Sequence, residues 1–271
     1  MTHPPAEPVE DGVRYEVAAG VATVTLARPA AMNSLDLATK DALLAALRAA
    51  AGDPAVRAVV LTGEGRAFCV GQDLREHAGN LDRLDPAEVW ATVPRHYAPL
   101  AATLAGMPKP VVAAVNGVAA GAGAALAFAC DFRVVAESAG FNLAFAGIGL
   151  SVDTGTSWTL PRLVGHARAL ELLLLPRTVP AAEALALGLA TQVVPADRVA
   201  AESADLATRL AAGPTLAYAA IKEALLYAAT APLAAALERE GELMARTGRS
   251  VDHRAAVAAF LDRRPPVFEG R

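Results

Sequence analysis

The chain has 271 residues, 54% hydrophobic and 19% charged, which is enough to bury a substantial core, and its formal net charge is −4 with no basic tract or aromatic-basic interleaving to attract nucleic acid. No apolar run approaches the ~20 residues of a membrane span, and the proline-rich opening Met1-Thr2-His3-Pro4-Pro5-Ala6-Glu7-Pro8 lacks a signal layout, so it reads as a frayed leader on a soluble, cytoplasmic protein. The two cysteines, Cys69 and Cys130, form no CxxC pair and the five histidines have no ligand spacing, so neither a disulfide framework nor a metal site is expected.

In chain order, short apolar runs, most of them carrying valine, predict strands near Arg14 to Val17, Val21 to Leu26, Ala58 to Leu61, Val111 to Val115, Phe132 to Val135 and Gln192 to Val194. Alanine- and leucine-rich helical stretches alternate with them, the pattern of an α/β fold. Two of the runs lead to glycine-marked loops, Ala67-Phe68-Cys69-Val70-Gly71-Gln72-Asp73-Leu74 and Asn116-Gly117-Val118-Ala119-Ala120-Gly121-Ala122-Gly123. Helix formers begin at Ala124, so the N–H groups around Gly121 to Gly123 stand at a helix N-terminus, where donors attract negative charge. Either loop alone is more often a packing solution than a site.

Further along, Asp153 precedes Thr154-Gly155 and the periodic Trp158, Leu160 and Leu163, which makes it a candidate helix N-cap. From Ala181 to Leu261 the chain is almost continuously helix-forming, with breaks at Pro195, Gly213-Pro214 and Pro232. Two regions are expected, a core over 1–195 and a helical region over 196–271 with no further sheet.

These pieces, in this order, resemble the enoyl-CoA hydratase/isomerase family, the crotonase superfamily, nearly end to end. The resemblance lies in Leu26-Ala27-Arg28-Pro29 with Asn33-Ser34-Leu35, the Phe68 to Asp73 loop, Lys109 to Gly117, Cys130-Asp131-Phe132, Leu160 to Gly165, and the tail Arg264-Pro265-Pro266-Val267-Phe268. It implies a crotonase (ClpP-like) spiral of repeated ββα turns, with the C-terminal helices forming the interface of a homotrimer or a dimer of trimers. The implied substrate is an acyl-CoA thioester, coenzyme A being part of the substrate and no separate cofactor being needed.

By the same resemblance the main-chain N–H groups of Gln72 and Ala122, framed by Gly71, Gly121 and Gly123, make an oxyanion hole. The segment from Gln72 to Arg75, with Asp73 and Leu74, lines the adenine side, and Arg28 and Lys222 are candidates for the phosphates. Met32 stands where many relatives carry a basic residue. Hydratases of the family place two glutamates at the positions held here by Ala125 and Phe145, neither of which can move a proton. Isomerases place an acid four residues after the glycine matched by Gly149, and Asp153 falls there. The context looks most like the branch of the phenylacetate-pathway ring-epoxide isomerase and the Δ3,Δ2-enoyl-CoA isomerases, of phenylacetate catabolism and fatty acid metabolism. Val152 replaces a usual proline, and Thr156 a usual glycine. With Phe145, Leu150 and Trp158 as neighbours, Asp153 is expected to have a raised pKa suited to both taking and returning a proton. The implied activity is double-bond migration. The alternatives are hydration of an enoyl-CoA and a thioester-binding homologue that has lost its chemistry.

Overall fold

The computed structural model describes residues 12–271, and the expected leader lies outside them. The chain opens with an antiparallel hairpin, β1 (Val13–Ala18) and β2 (Val21–Leu26), followed by α1 (Leu37–Gly52). The Asp36 carboxylate caps α1 by accepting from the Thr39 N–H at 2.9 Å, and the helix buries Leu43, Leu44, Leu47 and Ala50. Next come β3 (Ala58–Gly63), β4 (Ala67–Cys69), α2 (Leu74–Arg83) and α3 (Pro86–Trp90), and a π-helical turn, Val93–Tyr97, runs into α4 (Ala98–Gly106). The middle of the chain contains β5 (Val111–Val115), β6 (Val118–Ala120), α5 (Ala122–Ala129), β7 (Phe132–Ala136), β8 (Gly140–Asn142), α6 (Thr156–Val164) and α7 (His166–Leu174). It closes with β9 (Thr178–Pro180), α8 (Ala181–Ala186), β10 (Gln192–Val194), α9 (Val199–Ala211), α10 (Thr215–Ala228), α11 (Leu233–Thr247) and α12 (Val251–Leu261).

Two sheets result. The larger has six strands in the order β1-β2-β3-β5-β7-β10, parallel from β2 onward, and the smaller has four in the order β4-β6-β8-β9. Three successive turns of chain, β3/β4, β5/β6 and β7/β8, each lay one strand in each sheet, which is the α/β spiral expected. The central strands carry no polar alternation because both faces are covered: every residue of β5 is buried. All six strands predicted from the sequence fall in the larger sheet; of the smaller sheet, β4 and β6 lie in segments read as loops, and β8 and β9 lie outside the predicted strands.

Helix α5 is buried along its entire length, which fits a helix that is apolar on all sides and threaded through the core. After β10 the chain is helical and adds no strand, with breaks at the three expected points and a further one at Gly248 to Ser250. The first of these helices, α9, packs on β3, β5 and β7 and puts Val199, Ala207 and Ala211 into the core, so the region after residue 195 is continuous with the core layer.

Candidate active site

The two glycine loops meet. Parallel pairing of β4 with β6 brings their C-terminal ends together, and a Cβ added to Gly71 would lie 2.9 Å from the Ala120 carbonyl oxygen and 3.1 Å from the Ala122 nitrogen. Gly123 is closer still to its neighbour, since a Cβ there would sit 2.1 Å from the Cys69 carbonyl oxygen. Only glycine permits α5 to begin against the end of β4.

The direction of the Gln72 N–H follows from one hydrogen bond. The Gly71 carbonyl accepts from the Leu35 N–H at 2.8 Å, and the Asp73 N–H donates to the Leu35 carbonyl at 3.1 Å. In a trans peptide the C=O and N–H point in opposite directions, so fixing the Gly71 oxygen on Leu35 turns the Gln72 N–H away from Leu35. Neither that N–H nor the Ala122 N–H, at the first position of α5, donates a hydrogen bond among the described residues. Two unpartnered donors therefore flank the junction of the loops, one of them carrying the partial positive charge of a helix N-terminus.

A cleft of about 750 Å³ opens beside them, lined by Arg28, Arg66, Gln72, Asp73, Leu74 and Arg75 among others. Asp73 organises this wall. One carboxylate oxygen accepts from the N–H groups of Arg75 and Glu76 and so caps α2, while the other accepts from the Ser34 hydroxyl at 2.9 Å and the Arg28 guanidinium at 3.1 Å. Burial pushes its pKa up, but these hydrogen bonds outweigh it and hold the carboxyl below the usual range. Arg28 is half-buried and shared between Asp36 and Asp73, so much of its charge is spent within the protein. Arg66 and Arg75 are exposed and have no ion pair among the described residues. Their side chains were not singled out by the sequence, although both flank the first glycine loop.

Lys222 sits elsewhere. Its ammonium donates to the Asp131 carboxylate at 2.6 Å and the Lys109 carbonyl at 3.0 Å, and it lines a separate pocket with Glu223 and Arg246. Burial lifts the Asp131 pKa even with Lys222 beside it. Within one chain Lys222 is thus the counter-charge of a half-buried carboxylate and does not line the cleft that holds Arg28.

On the acyl side, Ala125 and Phe145 are buried, at 0% and 7% exposure, and offer no polar atom. Asp153 is half-buried and accepts from the Thr154 hydroxyl at 2.7 Å. Its side chain does not cap α6; that helix starts after Gly155, and the contact Asp153 makes with it is through its carbonyl, which accepts from the Thr156 N–H. Burial is the largest influence on Asp153 and raises its pKa, against the lowering effects of the Thr154 hydrogen bond, its own N–H and the Lys40 charge. Left-handed backbone at Thr154 (φ 51°) and Gly155 (φ 71°) turns the chain sharply between Asp153 and α6. Trp158 stacks under Arg162, 4.1 Å from ring centre to guanidinium carbon, and with Gly155 and Thr159 lines an apolar pocket of about 350 Å³.

Burial pushes the Cys69 and Cys130 thiols up to about 12, which leaves them as small packing groups. Among the described residues no three His, Cys, Asp or Glu side chains gather so as to hold a metal ion, and no helix is long and apolar enough to cross a membrane.

The pattern of the enoyl-CoA hydratase/isomerase family matches residues 16–271, and the chain belongs to that family, within the crotonase superfamily. It is 44% identical over 259 residues to a protein named a probable enoyl-CoA hydratase from Rhodobacter capsulatus, covering 96% of this chain and 98% of that protein. It is 43% identical over 253 residues to the 1,2-epoxyphenylacetyl-CoA isomerase of Escherichia coli, covering 93% and 96% respectively. Among solved structures, an enoyl-CoA hydratase/isomerase from Mycobacterium abscessus superposes with a TM-score of 0.92 at 48% identity, covering 96% of this chain and 100% of that one. An enoyl-CoA hydratase from Streptomyces coelicolor gives 0.93 at 40%, covering 100% and 98%.

Proposed function

We propose that this protein is an enoyl-CoA isomerase that moves a double bond through an enolate held by the Gln72 and Ala122 N–H groups, with Asp153 as the acid/base. The observation that carries this reading is a half-buried carboxyl with a raised pKa at position 153, while positions 125 and 145, where a hydratase needs carboxylates to hold water, are buried and apolar. In a 3-enoyl-CoA, Asp153 takes a C2 proton and the C2–H electron pair spreads over a dienolate whose oxygen lies on the two donors. The same carboxyl returns the proton at C4, leaving the conjugated 2-enoyl-CoA. The partial charge at the start of α5 acts where negative charge develops. The likeness to the Escherichia coli protein named 1,2-epoxyphenylacetyl-CoA isomerase supports an isomerase acting on a coenzyme A thioester. Hydration is the competing activity, and the likeness to a protein named a hydratase keeps it in the comparison. The deciding assay sets 3-enoyl-CoA isomerisation against crotonyl-CoA hydration by the same preparation, and faster hydration would overturn the proposal.

For the coenzyme, Arg66 and Arg75 are proposed to meet its phosphates. Arg66→Ala and Arg75→Ala are expected to weaken coenzyme A binding most at low ionic strength, since exposed charges act through a screening length of about 10 Å at 0.1 M salt. Lys222→Ala is expected to leave that binding unchanged and to lower thermal stability instead. Its deficit should be largest above the raised Asp131 pKa, where the carboxylate is charged and unpaired, and should shrink as pH falls through that pKa. Titration calorimetry at two salt concentrations and melting curves at two pH values separate these outcomes.

The exposed apolar side chains of the C-terminal helices, among them Leu225, Leu233, Met244 and Phe260, are proposed to be covered by further copies of the chain in a homotrimer or a dimer of trimers. Light scattering should then give three or six chain masses, and a monomer mass at micromolar concentration would sink this.

A further inference from the structure

The Gln72 side chain is held in a polar cluster that donates no hydrogen bond to Asp153 but feels its charge. Lys40, in the first turns of α1, is 2% exposed, and its ammonium donates to the Thr92 hydroxyl at 2.9 Å and to the Gln72 carboxamide oxygen at 3.3 Å, with Glu76 at 3.8 Å. Tyr97, from the π-helical turn and also 2% exposed, donates its hydroxyl proton to the same Gln72 oxygen at 2.5 Å. The Lys40 ammonium is also 5.5 Å from the centre of the Tyr97 ring. Two elements far apart in sequence thus converge on one side-chain oxygen belonging to the residue whose N–H is a candidate oxyanion donor.

A buried lysine and a buried tyrosine hydroxyl are costly to desolvate, so their convergence on one acceptor calls for a role. Burial lowers the Lys40 pKa against the opposing charges of Glu76, Asp36 and Asp41, and burial followed by the Asp153 charge raises that of Tyr97. Tyr97 is therefore a standing donor. A free carboxamide oxygen at position 72 would be a strong acceptor on the same residue as one of the two unpartnered N–H groups, able to swing toward the loop junction and block the place of a substrate oxygen.

We propose that Lys40 and Tyr97 are positioning residues for the thioester: by holding the Gln72 carboxamide oxygen between them, they keep the Gln72 N–H open and aimed at the substrate carbonyl. The inference rests on the acyl-thioester reading of this loop and is independent of whether the enzyme isomerises or hydrates. Tyr97 and Lys40 act through Gln72, so their loss affects carbonyl polarisation and turnover more than affinity.

The test uses cinnamoyl-CoA as the probe, because the absorption of a conjugated aryl thioester moves to the red when its carbonyl oxygen accepts strong hydrogen bonds. Wild-type protein is expected to give a red shift that Tyr97→Phe and Lys40→Met each reduce by at least about half, with kcat on the reactive substrate lowered about tenfold and KM changed by less than about threefold. Lys40→Arg should recover part of the shift. Tyr97→Phe removes a single oxygen, so it remains informative even if Lys40→Met does not fold. Asp153→Asn should keep the full shift, which separates failure of the acid/base assignment from failure of this one. A full shift and full kcat in Tyr97→Phe, or no shift in the wild type, would overturn the proposal.

Discussion

Asp153→Asn is expected to reduce isomerisation of a 3-enoyl-CoA at least about a hundredfold in kcat while leaving KM near the wild-type value, since one positioned general acid/base contributes ~10²–10⁴-fold. The amide keeps the shape of the carboxyl and its acceptor oxygen toward the Thr154 hydroxyl but cannot take a proton. The pH profile follows from the direction of the shift. A base must be ionised to act, and burial holds the Asp153 pKa above its ordinary value, so wild-type kcat/KM should fall as pH drops through that raised pKa. Stability runs the other way. Because the folded-state pKa exceeds the unfolded one, the ionised carboxylate destabilises the fold above it, and Asp153→Asn should melt at the same temperature as the wild type or higher at neutral pH. A large loss of turnover with undiminished stability would mark Asp153 as a group retained for chemistry. Normal isomerisation by the variant would move the proton to another residue.

Legibility in the sequence divides between the two sheets. Five strands of the larger sheet are runs of five or six mostly apolar residues and could be read from composition, as could the short β10 from its paired valines. Those of the smaller sheet, such as Ala67–Cys69 and Val118–Ala120, are three residues long and exist because parallel neighbours pair with them across the spiral, as Cys69 does with Ala119 and Ala119 with Phe141. Three residues carry no periodicity to detect. The candidate site divides in a similar way. Main-chain donors at Gln72 and Ala122 could be placed only because the ordered motifs resemble a family, and Asp153 alone would have passed for a helix cap. Nothing in the sequence singles out Lys40. Its burial depends on Gln72 and Thr92, 32 and 52 residues away. Lys222 shows the converse, a lysine that looks available until Asp131 is brought against it from 91 residues away.

The second large effect is expected at Gly71. At φ +83° an alanine there pays for left-handed backbone, roughly 1–2 kcal/mol, and its Cβ would sit 2.9 Å from the Ala120 oxygen and 3.1 Å from the Ala122 nitrogen. Both neighbours are backbone, so relief requires the two loops to separate, and separation takes apart the pair of donors. Gly71→Ala should therefore cost kcat about 10²–10³-fold, the loss seen when one oxyanion donor is removed, with only a modest drop in melting temperature. The Leu35 N–H will still anchor the Gly71 carbonyl, so the loop stays attached to the segment that leads into α1 while its spacing from α5 changes. Gly123→Ala is the control for gross damage: its Cβ would meet the Cys69 oxygen at 2.1 Å in the core, and misfolding is expected there. The readouts are kcat, melting temperature and the cinnamoyl-CoA red shift. A Gly71→Ala protein with wild-type turnover and an intact shift would mean that the Gln72 and Ala122 N–H groups do not hold the substrate oxygen.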